Sequence, residues 1–244
     1  MLAEKNDPPP LATLQLGAIR ALSQTVEATG NRLWLDSRTV DTEQAQALRD
    51  FAAKAIESVA CIARAGIEET PAALQRLDLA LAAQSLDEFL SGHRLGLRSV
   101  PCDDVVSWLR DVAREGERAD EAETRLTPFA AFTLEVIHAL AQTVAAIASL
   151  LASSGRHTAP QGQLTQLSIR LADRIEHIAQ YALEGLAERH QRRYIIADLE
   201  MLSFALQTSR AIIAGGGRDL PSDEQISRLL EQAVTCREPI VSAG

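Results

Sequence analysis

Asp173, Glu176 and His177 are the residues of this chain whose types and spacing come nearest to chemistry. On a helix, positions i, i+3 and i+4 share one face, so two carboxylates and an imidazole would stand together. Such a trio can hold a divalent cation or pass a proton. A helix-surface ion pair between Asp173 and His177 accounts for the same residues without a ligand. A second group, Arg189, His190, Arg192 and Arg193 followed by Tyr194, is the densest basic cluster in the sequence. It suits an anion or an acidic partner peptide, or else a solvated helix face balanced by Glu184 and Glu188. Trp108 joins the partner-binding candidates because tryptophan is enriched at interfaces; covering its own core is the plainer use of that ring, and of Trp34.

Other patterns carry less. Glu135 and His138 form the Glu-x-x-His step of di-iron carboxylate bundles, but such a site needs the step twice. The positions 118 residues earlier are Gly17 and Arg20. Gly215-Gly216-Gly217-Arg218 lacks the lysine and hydroxyl of a P-loop and reads as a helix end. Cys102 precedes Asp103 and Asp104, whose charge opposes a thiolate. No catalytic residue and no cofactor is assigned on these residues.

The elements that must position these groups are helices. Apolar residues make up 46 % of the 244 and aromatic ones only 4 %, so the core is built from Leu, Ala, Ile and Val. No stretch alternates in the manner of a strand. The fold class read from this is all-α. Residues 16–33 recur at 134–151: Leu16, Ile19, Leu22, Gln24, Thr25 and Val26 return as Leu134, Ile137, Leu140, Gln142, Thr143 and Val144. At an offset of 119, Ile56, Glu57, Ala60, Ala63 and Gly66 match Ile175, Glu176, Ala179, Ala182 and Gly185; at 120, Pro101, Asp103 and Leu109 match Pro221, Asp223 and Leu229. Self-similarity of that length marks a duplicated structural unit.

The expectation is therefore a tandem duplication of a four-helix unit of about 110 residues, the two bundles packing side by side with approximate two-fold pseudosymmetry. A Pro-rich, disordered N-terminus covers 1–10. Unit 1 spans 11–116, with helices at about 11–33, 42–69, 71–91 and 103–115. A charged linker follows at 117–127. Unit 2 spans 128–236, with helices at about 128–152, 163–188, 190–214 and 223–236, and a tail at 237–244 closes the chain. Caps support several starts: Thr70-Pro71, Thr127-Pro128, and the box Ser222 with Gln225. The junction at 189–193 has no proline, so the helices on either side of it can run on as one. The small residues Ala60, Ala63 and Gly66 suit a close approach of helices, within the chain or between two chains of a homodimer.

A net charge of −9 lacks the basic footprint that nucleic acid requires. Three cysteines without paired spacing fit a reducing compartment. The N-terminus has no apolar signal core, and the uncharged apolar run 139–153 is short for a bilayer, so a soluble cytoplasmic protein with no transmembrane segment is expected. Only Lys5 and Lys54 are lysines, as in a bacterial GC-rich genome or in a secreted effector that escapes ubiquitination. The function expected is a non-enzymatic helical module of the adaptor, regulator or effector type, with two related faces for a protein partner. The alternative is a bundle that binds a lipid-like or aromatic small molecule; a metal-dependent helical enzyme using Asp173, Glu176 and His177 comes third.

Overall fold

Runs rich in leucine and alanine, punctuated by proline, glycine and hydroxyl side chains, fold in the computed structural model into helices, seven of them among the described residues: α1 (Leu11–Leu35), α2 (Thr42–Ile67), α3 (Ala72–Gly92), α4 (Pro128–Ser153), α5 (Ala159–Leu183), α6 (Glu188–Ile212) and α7 (Asp223–Thr235). The structure describes residues 11–35, 42–68, 70–92, 126–153, 159–212 and 220–235, and among them there is no strand. The protein is all-α there. The N-terminus at 1–10, the helix expected at 103–115 with Trp108, Cys102, the linker as far as residue 125, the glycines at 215–217 and the tail at 237–244 lie outside the described residues.

Local chemistry sets the helix ends. Thr127 Oγ1 accepts a hydrogen bond from the Ala130 amide at 3.1 Å, with Pro128 at the first helical position, where its missing N–H costs nothing. Ser222 Oγ accepts from the Gln225 amide at 3.1 Å. The start of α3 differs from the expectation: the Pro71 carbonyl, not Thr70, takes the first helical bonds, from Leu74 and Gln75. Ala187 does the same for His190 and Gln191 at the start of α6. Gln75 Nε2 then donates back to the Thr70 carbonyl, and Gln191 Nε2 to the Leu186 carbonyl.

The two helices do not run on as one: the chain breaks at 184–187, and the junction at 189–193 lies inside α6. Gly185 adopts φ of +66°, its amide bonds the Ala182 carbonyl, and the Leu186 amide bonds the Tyr181 carbonyl. This is a Schellman ending, which glycine permits because it has no Cβ to clash at positive φ. A Cβ at Gly185 would meet no other atom within 4 Å, so Gly185→Ala tests backbone strain alone. It is expected to cost about 1 kcal/mol, read as a shifted urea midpoint with an unchanged slope.

Packing corrects the picture of two self-contained bundles. α1 lies most extensively along α5, and α2 along α4; the pairs α1–α2 and α4–α5 come next. These four helices share one hydrophobic core that runs through both halves of the chain. The reason lies in the breadth of their apolar surfaces. Val136, Ile137, Ala139, Leu140, Ala141 and Val144 of α4 are all fully buried, and together they span an arc of roughly 200° around the helix, too wide for a single neighbour to cover; the partly buried Glu135, His138 and Gln142 take the remaining face. α3 packs outside on α1 and α2; α6 packs on α5 and α4, and α7 on α6 and α4. By length and composition, α4 is the helix among the described residues that could cross a membrane, over 24 residues from Pro128 to Leu151. That is longer than the apolar run read from sequence, because it passes through Glu135 and His138.

The close approaches occur at glycines. An ideal Cβ on Gly66 would lie 2.6 Å from Leu134 Cδ1 of α4, and one on Gly30 would lie 2.5 Å from Ile169 Cγ1 of α5. On α5, Gly162 makes room for the Trp34 ring. Yet Gly66 and Gly185, matched in the sequence, are not equivalent: the first is buried inside α2 and the second ends α5. Burial lines up at an offset of 116 instead, where Leu48, Ala55, Ile56, Val59, Ile62 and Ala63 correspond to Leu164, Leu171, Ala172, Ile175, Ile178 and Ala179. Three residues is close to one helical turn, so a slip from 116 to 119 keeps nearly the same face and many of the same residue types.

Candidate functional site

Asp173, Glu176 and His177 do come together on α5, where they join a larger polar cluster with α1 and α6. Glu176 is almost wholly buried. Its Oε1 accepts from Arg20 Nε at 3.0 Å and from Gln24 Nε2 at 2.9 Å, both on α1. His177 Nδ1 sits 2.8 Å from the Asp173 carbonyl oxygen, 3.3 Å from Asp173 Oδ1 and 3.5 Å from Glu176 Oε2. The imidazole is thus tied to its own helix, and the Glu176 carboxylate is turned toward α1. No group of three His, Cys, Asp or Glu residues among the described ones is arranged to hold a metal ion. The cluster acts as a polar seam that locks α1 to α5 through charge-assisted hydrogen bonds.

Two acids of this seam titrate abnormally. Burial, then the nearby Asp173 carboxylate, holds the Glu27 carboxyl above its ordinary range, against a hydrogen bond from Asn31. Asp198 of α6 is buried and pushed up to about 6, chiefly by desolvation. Arg174 at 3.6 Å and His177 favour its ionised form, while Asp173 opposes it. Sequence reasoning missed Asp198. The signal was a lone acid inside the apolar run Ile195-Ile196-Ala197-Asp198-Leu199.

The basic cluster divides. Arg192 turns inward: its guanidinium lies 4.9 Å and 5.4 Å from the ring centres of Phe129 and Phe132. Its Nε donates to Glu188 Oε1 at 2.8 Å and its Nη1 to the Gln232 carbonyl at 3.0 Å. Arg192 therefore bridges α4, α6 and α7, and its charge is spent inside the fold. Arg189 and Arg193 stay exposed, with His190 half-buried between them; Arg189 Nε donates to His190 Nε2 at 3.3 Å. Tyr194 is exposed too, its ring 4.9 Å from that of Tyr181. Glu135 and His138 also part company. Glu135 Oε2 accepts from Arg228 of α7 at 3.1 Å, whereas His138 is half-buried and its basicity is lowered by burial and by Arg64 of α2.

The largest feature absent from the sequence reading lies on α3. Leu74, Leu77 and Leu81 are 53 %, 53 % and 54 % exposed and fall at i, i+3 and i+7, which makes one outward stripe. Its signal was a helix with leucine at 74, 77, 79, 81 and 86, more than one face can bury. The 116-residue offset places this stripe opposite in number to the outer face of α6, where the corresponding residues are His190, Arg193 and Ala197. One outer helix presents leucines, the other cations and rings. No family model, curated protein or solved structure matches this chain.

Proposed function

We propose that the chain is a non-enzymatic helical interaction module, of the adaptor, regulator or effector type, made of two related halves that present α3 and α6 as two outer docking faces. The observation that carries this reading is the leucine stripe of α3. Three aligned leucines, each more than half exposed, waste apolar burial unless another surface covers them.

The duplication with approximate two-fold symmetry belongs to the same proposal and rests on several correspondences. Exchanging α1 with α4, α2 with α5 and α3 with α6 leaves the list of packed pairs among those six helices unchanged. Thr25 Oγ1 bonds the Ala21 carbonyl at 2.8 Å as Thr143 Oγ1 bonds the Ala139 carbonyl at 3.0 Å. The paired glutamine bonds of Gln75 and Gln191 add to this. A duplicated scaffold supplies two positions of similar geometry, and divergence of their side chains gives each its own partner chemistry.

The test is cross-linked affinity capture from the native cell with wild type and with Leu77→Asp. A protein captured by wild type and reduced at least about tenfold by the substitution, equal to roughly 1.4 kcal/mol, is the expected outcome. Identical captured sets from both chains would remove the docking role of α3.

A further inference from the structure

Both halves of the chain bury an arginine in the first turn of their third helix, and only one half supplies it with an acid. At the 116-residue offset Arg76 of α3 matches Arg192 of α6, and Ala72 matches Glu188. We propose that the first turn of α3 binds a small oxyanion, of the carboxylate or phosphate kind, on Arg76, where it does for that arginine what Glu188 does for Arg192.

The two turns are built alike. The Pro71 carbonyl accepts from the Leu74 and Gln75 amides, as the Ala187 carbonyl does from His190 and Gln191. The Thr70 amide bonds the Ala65 carbonyl as the Leu186 amide bonds the Tyr181 carbonyl. Gln75 and Gln191 each donate back across the turn. Arg76 is 6 % exposed, and the Arg192 side chain 11 %. Backbone and arginine correspond; what differs is the company of the guanidinium.

Arg192 has Glu188 one turn back, the rings of Phe129 and Phe132, and the Gln232 carbonyl. Arg76 has only a methyl group at 72, and the positions matching the two rings, at an offset of 118, are Leu11 and Leu14. The position matching Gln232, Val112 at an offset of 120, lies outside the described residues. Among the described residues Arg76 Nε has no hydrogen-bond partner, although it is sealed from solvent. An arginine keeps its charge at any ordinary pH, and a buried charge without a counter-ion destabilises the fold. The site therefore favours an anion that can reach it.

The helix adds to the arginine. Helical side chains lean toward the N-terminal end, as Arg192 does in meeting Glu188, and this carries the Arg76 guanidinium back over Ala72. α6 begins with an acid, Glu188, whereas α3 has none in its first turn, so the positive end of the α3 dipole is left to an outside anion. Pro71 and Ala73 are exposed and Ala72 is half-buried, which gives a small solute a way in along this end of the helix. A guanidinium holds a carboxylate or phosphate by paired hydrogen bonds. Arg76 lies about 160° around α3 from Leu74, so this site is separate from the leucine stripe and does not depend on its docking role.

Thermal melts of the full chain at constant ionic strength test this, with sodium chloride replaced in part by phosphate or by acetate. At about 20 mM phosphate, wild type is expected to melt about 3–5 °C higher than in chloride alone, for a Kd on the order of 1 mM. A rise with either anion supports the site, and the larger rise names the better-fitting one. Arg76→Met is expected to fold and to lose the response. Ala72→Glu places a carboxylate where the other half has one; it is expected to melt about 2–4 °C above wild type in chloride and to keep less than about a third of the response. Most of that gain is expected to vanish when Arg76→Met is added. Melting indifferent to both anions would overturn the proposal, as would a response kept in full by Arg76→Met or by Ala72→Glu.

Discussion

Gly30→Val is expected to destabilise the protein by about 3 kcal/mol and to lower its melting temperature by roughly 6–10 °C. The ideal Cβ at Gly30 lies 2.5 Å from Ile169 Cγ1, 3.2 Å from Cδ1 and 3.9 Å from Cβ. Ile169 cannot swing aside easily, because a β-branched residue in a helix has one strongly preferred χ1. The clash must open the α1–α5 contact, which is the most extensive helix pair among the described residues. Part of the penalty is offset, since any residue but proline is a better helix former than glycine. Pairing the change with Ile169→Ala removes the obstructing atoms, so a double-mutant cycle is expected to recover most of the loss. A melting temperature that does not move in Gly30→Val would show that the two helices are farther apart than described.

Asp198→Ala should stabilise the protein by about 1–2 kcal/mol at pH 7.5 and by almost nothing at pH 4. The folded-state pKa of about 6 lies above the ordinary carboxyl value of 3.8, so the folded protein holds this proton more tightly than the unfolded chain. Such a group contributes stability that is fully present below about pH 4 and is lost as the pH climbs through 6. A rise of that size corresponds to at most about 3 kcal/mol. The expected gain is smaller because alanine leaves some volume unfilled and strands part of the Arg174 charge. Alanine is a sensible replacement: the position 116 residues earlier, on α3, is the buried Ala82. Denaturation curves of both proteins at several pH values between 4 and 8 supply the measurement. A stability difference that stays constant across that range, or that favours wild type at high pH, would contradict a buried, reluctantly ionised carboxylate.

Both residues show where sequence reasoning reached and where it stopped. Small residues at helix contacts were legible as a class through Ala60, Ala63 and Gly66, and Gly66 does meet Leu134. Gly30 was not singled out, since nothing in a single helix states which neighbour crosses it. Asp173, Glu176 and His177 were legible as a cluster because helical spacing alone brings them together. That Arg20 and Gln24 would claim Glu176 was not, for those residues lie more than 150 positions away. Arg192 was counted with a surface cluster because its neighbours in sequence are basic; a rotation of about 100° per residue separates it from Arg193 and lays it over Phe129 and Phe132.

The helical class and the caps at Thr127 and Ser222 are properties of the sequence by itself, because they depend on residues within one turn of each other. Which helices pair, whether the halves keep separate cores, which leucines face outward and which carboxyl holds its proton to a higher pH were decided by tertiary structure. Hydrophobic burial carries no direction: an apolar stripe demands a neighbour without saying which, and a slip of nearly one turn satisfies it almost as well.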